Sequence, residues 1–64
     1  MHYTIINKAG HNLSSFSPNA VKPQLVYRKG DWITFRSKKA ASEHLTYIQS
    51  NGVGWNLAIN LITD

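Results

Sequence analysis

Five of the chain's seven Lys and Arg residues, namely Arg28, Lys29, Arg36, Lys38 and Lys39, fall within residues 28–39, a stretch that holds one acid, Asp31. Tyr27 and Trp32 are interleaved with the first two of these cations. Aromatic faces beside positive charges can stack nucleobases, or can form the apolar centre of a protein interface ringed by charge. They can also be ordinary cross-strand packing, or lie covered by the loop that carries Phe16. The second half of the cluster, in FRSKKAAS (35–42), opposes a simple rule. A helix start carries a partial positive charge and favours acids, yet Arg36, Lys38 and Lys39 surround Ser37, a preferred N-cap. Outward-pointing N–H groups and mobile cations together suit a phosphate or a carboxylate cluster. The plainer reading is solvated surface lysine.

Catalytic and metal-binding chemistry finds little to work with. His2, His11 and His44 lack ligand spacing, there is no cysteine to join them, and Asp31, Glu43 and Asp64 are the only acidic side chains. Ser42, Glu43 and His44 are consecutive on a helix and point in different directions, so they do not form a triad. A small ribonuclease using His11 or His44 is the weaker alternative to a non-enzymatic protein. His44 sits on the apolar helix stripe and reads as a histidine at the core edge. No glycine-rich phosphate loop is present, and NGVG (51–54) ends a helix instead of opening one. No cofactor and no metal are expected.

Several elements must position the cationic and aromatic residues. HYTIIN (2–7) is β-branched and aromatic enough for a first strand. Residues 8–23 are rich in Ser, Asn, Gly and Pro, and are long for a structureless connection, so NLSSF is expected to fold back on HYTIIN with Phe16 opposite Tyr3 and Leu13 opposite Ile6. QLVYR and DWITF flank Lys29-Gly30 as the clearest hairpin, placing Tyr27 against Trp32, Val26 against Ile33 and Gln24 against Phe35. SKKAASEHLTYIQS (37–50) is the helix, with Ala40, Ala41, His44, Leu45 and Ile48 on one stripe and Asn51-Gly52 at its end. GWNLAINLIT alternates, so Trp55, Leu57, Ile59 and Leu61 are expected in the core. The fold class is α+β: one small antiparallel sheet of three to five strands, one helix on one face, in the order β(β)ββαβ. Val26, Ile33 and Phe35 would meet the helix, leaving Tyr27, Trp32 and Thr34 on the open face.

A chain of 64 residues has room for one domain, residues 1–64, and one small core. The absence of cysteine suits a reducing cytoplasm, and neither a membrane span nor a signal-peptide layout is visible. A net charge of +4 favours anionic partners. Strand edges at HYTIIN and GWNLAINLIT are open to a second copy, so a homodimer is among the expected states.

Residues 23–50, a hairpin followed by FRSKKAAS, loosely resemble the three-strands-then-helix layout of small DNA-binding domains of integrases and plant transcription factors. That resemblance implies direct DNA or RNA binding through the sheet, although few of the arginines that read a groove are present. In format, a start Met before a strand, one helix beginning FRSKKAAS and a closing strand GWNLAINLIT, the chain is similar to small phage-encoded inhibitors and regulators. What this second resemblance implies is a host protein or ribonucleoprotein partner with an acidic surface. The binding residues expected under either reading are Tyr27, Arg28, Lys29, Trp32, Arg36, Ser37, Lys38 and Lys39.

Overall fold

The computed structural model describes residues 1–18 and 21–63. Its elements are β1 (His2–Ile6), β2 (Ser15–Ser17), β3 (Gln24–Val26), α1 (Lys38–Ser50) and β4 (Ala58–Ile62). The α+β character is as expected, but the strands form two antiparallel two-stranded sheets, β1–β4 and β2–β3, so neither reaches three strands.

β1 lies at the centre of the pairing. Along one side it runs against β4 from His2↔Ile62 to Ile6↔Ala58. Along the other, Tyr3 exchanges two 2.8 Å backbone bonds with Phe35, and Leu13 donates to the Ile5 carbonyl at 2.7 Å. The edge expected at HYTIIN is therefore occupied.

The fold-back of residues 12–16 occurs one position out of the expected register, as Ile6↔Asn12. The loop chemistry sets this slip. Asn7 accepts from the backbone N–H of Ala9 (3.0 Å) and of His11 (2.9 Å), while Gly10 takes φ +85°, where other residues are strained. Pairing ends almost at once, and Phe16 lies opposite Leu25 in β2–β3 instead of opposite Tyr3.

The expected hairpin keeps its turn and loses its arms. Arg28↔Asp31 is the expected register, with the Asp31 N–H donating to the Arg28 carbonyl at 3.2 Å and Gly30 at φ +78°. β3 spends its ladder on β2, however, so Gln24 meets Ser17 and Val26 meets Ser15. Buried Ser14 takes the place of a ladder neighbour, its Oγ accepting from the Arg28 N–H (2.6 Å) and donating to the Arg28 carbonyl (3.2 Å). Residues 31–35 cross instead toward β1, with Ile33 N–H bonded to the Leu13 carbonyl at 3.0 Å.

The helix begins where the sequence indicates. Ser37 Oγ accepts from Ala40 N–H at 3.1 Å, no acid occupies the first turn, and Gly52 (φ +82°) follows the Asn51 cap. Ala41 and Ile48 are buried and Ala40, His44 and Leu45 half-buried, which is the expected stripe. Ile5, Leu13, Ile48 and Leu57 form the central cluster, with Phe16, Leu25, Tyr27, Phe35, Leu45 and Val53 packed on it. Phe35 reaches the helix, its ring 5.3 Å from that of His44, whereas Val26 and Ile33 are half-buried outside this group.

The last strand is shorter than its alternation suggests. Residues 54–57 form a turn closed by Leu57 N–H on the Gly54 carbonyl at 3.1 Å. Trp55, within this turn, is 70% exposed, and Leu61, paired with Tyr3 in β4, is 46% exposed, so neither belongs to the core. No described helix is long and apolar enough to cross a membrane.

Candidate functional site

The turn at Lys29-Gly30 and the loop at residues 10–12 face each other across an open cleft of about 380 Å³. Tyr27, Arg28, Lys29 and Trp32 form one wall, and Gly10, His11 and Asn12 the other. Four of the eight expected binding residues thus share a site. The second wall holds none of the expected binding residues, although the Asn and Gly of NKAGHN mark it as a tight turn.

Each wall is held by part-buried hydrogen bonds. Ser14 fixes the backbone of Arg28 from both sides, as above, and thereby sets the base of the turn. Asn12 accepts a 2.6 Å bond from the Thr4 hydroxyl, tying the loop to fully buried Thr4 on β1. Tyr27 packs on the core instead of standing on an open face. Burial raises the pKa of its phenol, opposed by a hydrogen bond from the Asn7 side chain, so Tyr27 is a neutral, anchored ring at neutral pH.

Charge at the cleft is positive and accessible. Lys29 occupies the exposed turn tip, and Trp32 keeps 42% of its surface in solvent. Arg28 contacts Asp31 at 3.3 Å, but both side chains are largely exposed and such a pair is weak, so its guanidinium can be drawn to a stronger anion.

A second cleft of about 350 Å³ shares Tyr27 as a wall. Asn7, Lys8 and Ala9 contribute one side, Trp55 and Asn56 the other, with Leu25, Gly54 and Leu57 also lining it. Its tryptophan is the residue that the alternating pattern assigns to the core.

Arg36, Ser37, Lys38 and Lys39 lie at the start of α1, exposed, and line neither cleft. The Ser37 oxygen is engaged in capping the helix. His44 stands between Phe35 and Tyr47, with ring centroids at 5.3 and 6.2 Å. Its buried Nε2 has no partner among the described residues, and desolvation lowers its pKa, as befits a histidine at the core edge. Phe16 meets Tyr47 edge-on at 5.7 Å and lines neither cleft. Among the described residues no three His, Cys, Asp or Glu side chains gather as a metal site.

No family model, curated protein or solved structure matches this chain.

Proposed function

We propose that the chain is a non-enzymatic binding protein that docks the cleft formed by Tyr27, Arg28, Lys29 and Trp32 on an anionic surface. The partner is a nucleic-acid-handling protein or ribonucleoprotein, which the docked chain inhibits or regulates. One observation carries this reading: an exposed tryptophan and two exposed cations border a concave, mostly apolar opening whose lining, among the described residues, includes no acid. An aromatic anchor that can be fully desolvated gives affinity, and the surrounding charge gives association rate and partner choice. The basic start of α1 adds to the same long-range attraction. Direct binding of DNA or RNA by the isolated chain is the second reading, favoured by the second tryptophan-bearing cleft.

Affinity capture from a lysate tests the proposal when wild type is compared with Lys29→Glu and Trp32→Ala. A specific complex should be retained by wild type, be released as salt rises, and be lost by both variants. Equal retention by all three proteins refutes the reading. A homodimer through the outer edge of β4 belongs to the same proposal, because AINLI carries neither the charge nor the proline that usually protects an edge. Sedimentation as a single 7.2 kDa species at tens of micromolar removes that part.

A further inference from the structure

From the two neighbouring clefts we infer that the docked part of the partner is a single-stranded nucleic acid segment, with two successive bases seated on either side of Tyr27. This deepens the docking proposal and rests on it. The clefts repeat one composition. The first offers Trp32 with Arg28 and Lys29, the second offers Trp55 with Lys8, and Tyr27 is common to both. At about 380 and 350 Å³ each lies in the range that takes a small planar group. Asn12 lines the first cleft with its amide N–H groups unused by the Thr4 bond, and Asn56 lines the second, so a carboxamide that can pair with a base edge is present in both. Among the described residues no acid lines either opening, which a negatively charged backbone requires.

Both tryptophans are exposed, Trp32 at 42% and Trp55 at 70%. Exposure of indole at two adjacent openings costs hydration free energy that a core position would avoid, and stacked bases would recover it. The wall between them packs on the core through Tyr27. Asn7, which lines the second cleft, closes the 7–11 loop by accepting from the backbone N–H of Ala9 and of His11. Duplex fits this arrangement poorly, since its bases are already stacked on one another, whereas an unpaired strand presents free π-faces.

Tryptophan fluorescence tests the inference, because Trp32 and Trp55 are the chain's two tryptophans. Titration with octathymidylate should quench the emission to saturation. Trp32→Ala and Trp55→Ala should each weaken binding roughly 5- to 150-fold, the range for losing one stacked base. With Lys8, Arg28 and Lys29 on phosphates, the affinity should fall with salt at a log–log slope of about −2. A hairpin duplex and polyglutamate should both bind far more weakly. Circular dichroism establishes that each variant folds. Should Trp32→Ala not fold, Lys29→Gln at the exposed turn tip replaces it, with an expected loss of about 0.7 in the slope. Absence of quenching, unchanged affinity in Trp55→Ala, or equal binding of polyglutamate overturns the inference. If the strand fails to bind while Lys29-dependent capture of a complex survives nuclease treatment, the docking proposal stands and the strand falls.

Discussion

Gly54 is held in place by two independent demands, and replacing it by alanine should expose both. Its φ of +80° lies in the left-handed region, where a Cβ costs about 1 kcal/mol. In addition, that Cβ would stand 2.7 Å from Ile48 Cγ2 and 3.0 Å from Leu57 Cδ1. Neither neighbour can swing aside: Ile48 is fully buried and β-branched, and Leu57 belongs to the same cluster. Overpacking of this kind adds about 1 to 3 kcal/mol, so Gly54→Ala should lose about 2 to 4 kcal/mol in all. A domain of this length holds only about 3 to 10 kcal/mol in total, and each kcal/mol moves its melting temperature by about 4–8 °C. Gly52 supplies the control, because its φ is +82° but a Cβ added there would meet nothing within 4 Å. Gly52→Ala should therefore lose only the backbone share, about 1 kcal/mol. Thermal melts and urea titrations of the two variants measure the difference directly. Equal losses would show that the Ile48 contact relaxes at no cost, and the packing argument would be wrong.

Acid should weaken the fold through His44. Its pKa is depressed in the folded chain by burial, so the unfolded state takes up the proton more readily. The contribution is complete above the unfolded value of about 6.5 and is lost as pH falls through the lower folded value. Urea titrations at pH 7.5 and 5 should show the drop, and His44→Phe should diminish it. Ser14→Ala should cost about 0.5 to 1.5 kcal/mol in denaturant titrations, because the backbone N–H and carbonyl of Arg28 lose their part-buried partner. The pair Lys38→Glu and Lys39→Glu should raise stability by about 0.3 to 1 kcal/mol each, by complementing the dipole at the Ser37-capped turn. The same double variant should bind its anionic partner more weakly at low salt, and unchanged binding would identify these lysines as solvated surface.

Local chemistry was legible in the sequence wherever it acts over a few residues. Ser37 with Ala40, the stripe from Ala41 to Ile48, Gly52 after the helix, and the Lys29-Gly30 turn are short-range features and stand where the residues indicate. Strand pairing was not legible, because it depends on competition for edges. QLV and DWITF look complementary, but Ser15–Ser17 takes β3, and Tyr3 takes Phe35. Ser14 shows no role in the sequence, since the bonds of its hydroxyl to both backbone groups of Arg28 span fourteen residues. The alternation of GWNLAINLIT misleads for a related reason: the turn closed at Gly54 removes its first four residues from the strand and turns Trp55 outward. Half of the expected binding residues meet at one cleft, because Tyr27 to Trp32 are neighbours across a tight turn. The cationic helix start is exposed but lines neither opening.

The central position of β1 has a consequence for how the chain reaches its fold. Its partner β4 is the last element, and His2 lies opposite Ile62, so this ladder closes a loop of almost the whole length. Such distant pairing must overcome the entropy of loop closure before it gains any stabilisation, which makes folding slow relative to a helical domain of equal size. On a ribosome, the helix and the β2–β3 pair can form while β1 still has one side bare. Completion waits for residues 58–62. The amides of β1 that point toward β4 should accordingly lose protection from hydrogen exchange before the Tyr3 amide, which bonds Phe35 on the other side.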